Sequence, residues 1–166
     1  RRNLNMYLMS EGADTKLQKP TALLKQNVKT WLDSVRMISD SIDIFDANII
    51  NFGIDFSLQL KRNVNQQTAL STIKQRIFEE LSSVAPEIGE PLYYSEIMRI
   101  IQNIPEVARI SAKDGIKITS LTGTNYTDYY YNVKNNTSPD DSYIYIPQNS
   151  IWEIKYIDDI KGTIIG

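Results

Sequence analysis

The sequence contains no cysteine and no histidine. Without cysteine there is no disulfide framework, no thiolate nucleophile and no cysteine metal site. Without histidine the chain lacks the commonest general base and the commonest transition-metal ligand. Glycine is sparse, with seven in 166 residues. The glycines are isolated, as in Thr122-Gly123-Thr124, and no glycine-rich strand-to-helix turn is present to cradle a phosphate. No apolar run approaches the roughly 20 residues of a membrane-spanning helix. Basic residues do not cluster beyond Arg1-Arg2 and Lys61-Arg62, and the net charge is -2. Nucleic-acid binding, which uses a basic face, is therefore not expected. The opening Arg1-Arg2-Asn3 has neither an initiator methionine nor an apolar signal core, so the chain reads as a piece of a longer polypeptide.

What is there describes an ordinary folded chain. Hydrophobic residues make up 42% and charged residues 23%, enough for one domain with a core and room for an appendage. From Ile50 to Leu60 the chain alternates. Ile50, Phe52, Ile54, Phe56, Leu58 and Leu60 are apolar, and Asn51, Gly53, Asp55, Ser57 and Gln59 are small or polar. Successive side chains on a strand point to opposite faces, so this is a long strand with one buried and one wet face. It implies a sheet covered by helices on one side and open to water or a partner on the other.

The remaining elements are arranged around this strand. Leu4, Met6 and Leu8 alternate with polar or amphipathic neighbours and predict a first strand, ended by Glu11-Gly12. A helix opens at Pro20 or Thr21 and carries Leu24, Val28, Trp31, Leu32, Val35 and Ile38 as one apolar stripe, with Trp31 in the core, before Ser39-Asp40-Ser41. Ile42 and Ile44 begin an extended segment that Asp46-Ala47-Asn48 interrupts. Asn63 or Asn65 caps a second helix with Ala69, Leu70, Ile73, Ile77, Leu81 and Val84 inward. A third runs from about Tyr94 to Asn103, with Ile97, Ile100, Ile101 and Ile104 inward, and Pro105 stops it. Val107–Ala112 and Ile116–Leu121 flank Asp114-Gly115 and predict a hairpin. The order strand, helix, strand, helix, helix, hairpin suggests an α+β sheet packed on helices, of ferredoxin-like flavour. After Leu121 the composition shifts to Gly, Asn, Thr, Ser and Asp, then to three short strands at 143–146, 151–156 and 160–165. Residues 1–121 are read as the core domain and 122–166 as a β-rich appendage that completes or extends the sheet.

Candidate chemistry is thin. Asp43 and Asp46 flank Phe45, and a carboxylate pair can share acid and base roles or hold a metal, although solvation of a turn or strand edge is the favoured reading. Asp140-Asp141 and Asp158-Asp159 sit at expected turns without the spacing of a calcium loop. Asn125-Tyr126-Thr127 and Asn135-Asn136-Thr137 match a glycosylation pattern but read as loop composition. The most functional-looking group is Tyr126 with Tyr129, Tyr130 and Tyr131. Tyrosine is enriched where surfaces meet partners, so the group is a candidate protein interface or a stacking platform for sugars, set against strand tyrosines packed inside. Trp152 reads as either core or edge.

Several local phrases, taken with this order, resemble a known family. Asn5-Met6-Tyr7-Leu8-Met9-Ser10 and the helix from Pro20 to Arg36 are similar to the opening of the conserved region of phage baseplate wedge proteins, as are the extended segment 42–60 and the helix after it. Ile88-Gly89-Glu90-Pro91-Leu92, Ser95-Glu96-Ile97 and Asn103-Ile104-Pro105-Glu106-Val107 resemble the family's strand–helix–strand join, with Glu106 where many relatives have glycine. The run from Ile146-Pro147 through Ile151-Trp152-Glu153-Ile154-Lys155-Tyr156 to Asp159-Ile160-Lys161-Gly162 resembles the end of the T-even type. The resemblance, to the C-terminal region of the baseplate-J-like family of contractile-tailed bacteriophages, implies a structural virion protein. Such a protein associates subunit to subunit in wedge and ring assembly, in the tail baseplate after assembly in the host cytoplasm. It implies a homo-oligomer in contact with other baseplate subunits and no catalysis; from the residues themselves no cofactor, no metal, and neither nucleic acid nor membrane is expected as partner. The expected interface is Tyr129, Tyr130, Tyr131, Trp152 and Tyr156. The alternatives are a carbohydrate-binding tail module using the tyrosines, and a carboxylate-dependent hydrolase using Asp43 and Asp46.

Overall fold

A computed structural model describes residues 2–35, 40–111 and 115–165. The fold is α+β. The chain divides into two compact units between Ile49 and Ile50. The composition shift after Leu121 falls inside the second unit, because strands from the tail pair with that unit's central strand.

The first unit holds strands β1 (Arg2–Leu8), β2 (Ser10–Glu11) and β3 (Leu17–Gln18), helix α1 (Ala22–Val35) and strand β4 (Asp40–Asp46). β1 and β4 run parallel, with Leu4 opposite Ile42 and Met6 opposite Ile44. Parallel neighbours need a crossover, and α1 lies in it. The Thr21 hydroxyl caps α1 by accepting from Leu24 N at 3.2 Å. β2 and β3 form a small antiparallel ribbon. The strand breaks at Ala47, whose N–H donates to Leu8 O at 2.8 Å, in place of a continuous run into the long strand. Ile38 and Ser39, which complete the expected stripe and its stop, lie outside the described residues.

Strand β5 (Asn48–Leu60) starts two residues before the division and is the axis of the second unit. There follow α2 (Gln66–Ser83), β6 (Leu92–Tyr93), α3 (Tyr94–Gln102), β7 (Val107–Ile110), β8 (Ile116–Leu121), β9 (Tyr143–Ile144), β10 (Ser150–Glu153) and β11 (Ile160–Ile164). β7, β8, β10 and β11 all pair with β5, and β6 pairs with β9. Asn65 caps α2 by accepting from Gln67 N at 3.0 Å and Thr68 N at 3.2 Å. Ala69, Ile73, Ile77 and Leu81 of α2 and Ile97, Ile100 and Ile101 of α3 are buried in one core with Ile50, Phe52, Ile54, Phe56 and Leu58. The helical and strand periods thus meet on one side of the sheet. Val84, expected inward, is the C-cap of α2 and 78% exposed.

Two expectations need correction. β7 and β8 form no hairpin in the described residues. Leu60 stands opposite Val107, Leu58 opposite Ile110, Phe56 opposite Ile116 and Asn51 opposite Leu121. The partner index rises steadily as β5 is read backwards, so β7 and β8 lie end to end along β5, both antiparallel to it. Gly115 O still accepts from Ser57 N at 2.8 Å. Asp114, half of the expected turn, lies outside the described residues. The second correction concerns the wet face of β5. Asn51 and Gly53 are buried, and only from Asp55 onward does burial alternate. A Cβ on Gly53 would lie 3.3 Å from Asp159 O, so residues of the tail cover this end of the second face.

Candidate interaction surfaces

The first unit has little interior. A two-stranded sheet is marginal without packing on at least one face. Here α1 supplies no fully buried residue: Val28 and Leu32 of its apolar stripe are half-buried, and the rest of the stripe among the described residues is exposed. Trp31, expected in the core, is 64% exposed, and Leu23, Leu24 and Val35 are also exposed. The period of the stripe is as the sequence predicts, but its covering is different. Leu4 and Phe45 on the two strands are exposed as well, with Tyr7 and Phe45 rings 5.8 Å apart.

Asp43 and Asp46 do not converge. Three residues apart on a strand, they project to opposite faces. Asp43 accepts from Asn3 Nδ2 at 2.9 Å, and Asp46 pairs with Lys25 Nζ at 2.9 Å. The geometry fits strand-edge solvation and gives no shared proton or metal site between them.

In the second unit the tyrosines separate. Tyr131 is buried. Its ring lies edge-on to Phe52 with centroids 6.2 Å apart, and its hydroxyl donates to Tyr145 O. Burial, with Tyr129 and Tyr145 nearby, pushes its pKa up to about 12. Tyr129 is half-buried against the core, and Tyr130 is 67% exposed. Consecutive residues in extended chain point in alternate directions, so the three rings do not form one platform. Trp152 is buried too, because β10 pairs with the central strand. Tyr131 and Trp152 are therefore core residues in place of the interface anchors expected from sequence. Tyr156 is half-buried and meets the Tyr126 ring edge-on at 5.8 Å.

The tail is tied down by a polar cluster the sequence did not single out. Asn51 is 2% exposed, accepts from Thr127 N at 2.9 Å and donates to Glu153 Oε2 at 3.1 Å. Asp159, 7% exposed, accepts from Tyr156 N at 2.9 Å and from the Tyr126 hydroxyl. The hydrogen bond to Asp159, followed by burial, raises the Tyr126 pKa to about 12. Buried polar groups in proteins are paired, and here the pairing fixes residues 126 and 127 to the sheet. The acidic pair Asp140-Asp141 is a turn: Asp141 has φ +55°, and hydrogen bonds from Ser138 and Ser142 hold the Asp140 carboxyl below its ordinary range. No group of three or more acidic residues positioned to hold a metal ion is found among the described residues.

A cleft of about 200 Å³ opens where the end of α2, the loop to β6, the first turns of α3 and β10 meet. Glu80, Glu90, Glu96 and Arg99 line it with Val84, Pro86 and Trp152. Glu80 Oε2 lies 3.6 Å from Arg99 Nη2, and Glu90 Oε2 accepts from Glu87 N at 2.7 Å.

No helix among the described residues is long and apolar enough to cross a membrane. No protein-family model matches the chain, and no curated protein matches it.

Proposed function

We propose that this chain is a structural component of a phage tail baseplate, acting by subunit association in wedge and ring assembly and carrying out no turnover. The observation that carries the reading is the set of exposed apolar side chains on α1, Leu23, Leu24, Trp31 and Val35. A helix with Leu24, Trp31 and Val35 exposed over a two-stranded sheet leaves apolar area in water at about 25 cal/mol per Å². Association that covers it recovers that free energy, and a tryptophan at the centre of such a face is a frequent binding anchor. The local phrases that resemble wedge proteins supply the particle, and the exposed apolar side chains of α1 supply a means of joining it. The partners in this reading are further copies of the chain and other baseplate subunits.

The sugar-platform reading is weakened by the burial of Tyr131 and the half-burial of Tyr129, which leave Tyr130 as the exposed ring of the three. The hydrolase reading is weakened by the divergence of Asp43 and Asp46.

Sedimentation velocity over a concentration series tests the proposal. The chain is expected to associate as concentration rises, and a Leu24→Ser/Trp31→Ser variant is expected to associate much less. A single monomeric boundary for both chains, or equal association of the two, would overturn a role for this stripe.

A further inference from the structure

We propose that the outer edge of β8 receives an extended segment of a partner polypeptide, paired antiparallel over Ile116–Ile118 and carrying the side-chain pattern apolar–acidic–apolar. β8 belongs wholly to the second unit.

β8 pairs with β5 along one edge, and among the described residues no strand pairs with its other edge. The register gives the direction of its backbone groups. Ser57 N donates to Gly115 O at 2.8 Å, next to the pair Phe56–Ile116. Opposite residues of an antiparallel pair alternately exchange both hydrogen bonds and none. Gly115, Lys117 and Thr119 therefore turn their N–H and C=O groups to β5, and Ile116 and Ile118 turn theirs away. Ser120 marks the end of the open stretch, because its hydroxyl accepts from Tyr131 N at 3.2 Å. Edge strands are ordinarily blunted by proline, a bulge or a covering segment. Over Ile116–Ile118 there is no proline and the register runs unbroken. Two N–H and two C=O groups stand in line there without a backbone partner among the described residues.

A groove of about 500 Å³ lies along this edge. Ile116, Lys117 and Ile118 all line it, with Tyr94 and Met98 of α3 and Val133 of the tail. Neighbouring side chains on a strand point to opposite faces, so three consecutive residues share one groove at the strand's edge. Tyr94, Met98, Ile116 and Val133 are only partly buried, which leaves apolar surface in the groove.

Backbone pattern and charge select the occupant. The outward residues each offer one donor and one acceptor and recur at about 6.8 Å, the two-residue repeat of another strand. Three antiparallel residues satisfy all four groups, whereas three parallel residues reach only two. The outer two set their side chains on the face of Ile116 and Ile118, where burial against Met98 and Val133 favours apolar ones. The central one stands opposite Lys117, which is exposed on the other face. Like charges directly opposite destabilise a sheet, and opposite charges stabilise it. A second copy added through the same stretch would set Lys117 against Lys117, so an acidic residue from a different segment is favoured.

The test uses the whole chain and the peptide acetyl-Thr-Val-Glu-Val-Thr-amide, followed by nitrogen-15 NMR and amide hydrogen exchange. In the free chain the Ile116 and Ile118 amides are expected to exchange faster than those of Lys117 and Thr119. Saturable binding in the millimolar range is expected, with exchange at Ile116 and Ile118 slowed at saturation. N-methylation of either valine removes a donor aimed at β8 and is expected to weaken binding at least about tenfold. N-methylation of the glutamate, whose N–H points away from β8, is expected to cost less than about threefold. Glutamine in place of the peptide's glutamate should weaken binding about threefold, and the Lys117→Gln variant, altered at an exposed position, should not distinguish the two peptides. No saturable binding, Ile116 and Ile118 amides as protected in the free chain as their neighbours, or equal losses from all the N-methyl peptides would each overturn strand addition. Loss confined to the N-methylglutamate peptide would mean a parallel strand and overturn the register. An undiminished preference for glutamate in Lys117→Gln would overturn the acidic pattern. None of these outcomes bears on association through α1, which is read by sedimentation.

Discussion

The hydroxyl of Tyr126 donates to the carboxylate of Asp159, 33 positions further along the chain. The same carboxylate accepts from Tyr156 N at 2.9 Å, and the Tyr126 and Tyr156 rings meet edge-on. One acidic side chain thus ties the loop after β8 to the turn before β11.

This tie has a pH signature. The Tyr126 pKa is raised from 10.0 to about 12, chiefly by the hydrogen bond to Asp159. For a group raised on folding, the stabilisation is fully present below the unfolded pKa and is lost as pH rises through the folded one. Stability is therefore expected to fall between pH 10 and about 12. Tyr131, raised to about 12 by burial, adds to the same limb. A Tyr126→Phe variant should show a shallower alkaline decline in urea midpoint, together with a loss of about 2 kcal/mol at neutral pH from the missing charge-assisted bond. An unchanged alkaline slope would show that Tyr126 does not hold its proton in this way.

Gly162 is the close-approach glycine of the fold. It pairs with Phe56 across β11 and β5, and a Cβ there would press on the Phe56 ring and lie 2.7 Å from Leu70 Cδ2. Both neighbours belong to or pack on the core, so neither can move freely. Gly162→Ala should cost about 2 kcal/mol by overpacking, while Thr163→Ala, on the exposed neighbour, should stay within about 0.5 kcal/mol. Denaturant midpoints of the two variants check this.

Much of this architecture is legible in the sequence because it is periodic. Ile73, Ile77 and Leu81 recur at helical spacing, Phe52 through Leu58 alternate, and all are buried as their period dictates. What is not legible depends on segments far apart in the chain. Asn51 occupies the polar phase of β5 and reads as wet, but Thr127 and Glu153 reach it from 76 and 102 positions away. Trp31 has the right period for a core, yet a period says which face is apolar and says nothing of what covers it. Asp114-Gly115 carries a strong turn signal, but β5 is long enough to take β7 and β8 end to end, and pairing with it replaces pairing between them. Asp158-Asp159 reads as a turn, and nothing local shows that Asp159 faces Tyr126.

Trp31 and Ile77 should respond oppositely to truncation. Ile77 is fully buried on α2, and Ile77→Ala should destabilise the second unit by about 3 kcal/mol through lost burial and a residual cavity. Trp31→Ser removes a larger side chain from an exposed helical position, where serine and tryptophan have similar helix propensity. It should leave the second unit within about 0.5 kcal/mol, followed through the remaining fluorophore, Trp152. A loss for Trp31→Ser approaching that of Ile77→Ala would show that Trp31 is covered, and the exposed apolar face of α1 would have to be abandoned.

Asn51 and Tyr126 should be energetically coupled. Asn51 accepts from Thr127 N, and Tyr126 donates to Asp159, so the two side chains hold adjacent residues of one loop against the sheet. Once one hold is cut, the other fixes a segment that already has partial freedom and is worth less. Asn51→Ala alone leaves Thr127 N and Glu153 without this partner, and Tyr126→Phe alone leaves the loop held at Thr127. The double variant should therefore lose less than the sum of the two, by about 1 kcal/mol, within the range seen for residues sharing a network. Proteolysis reports the same coupling independently. Cleavage within 122–130 should already speed up in each single variant, and the double should rise by less than the product of the two effects. Strict additivity of the unfolding free energies, with cleavage unchanged, would mean that the two holds act on separate segments and that the loop is fixed by its tyrosine packing instead.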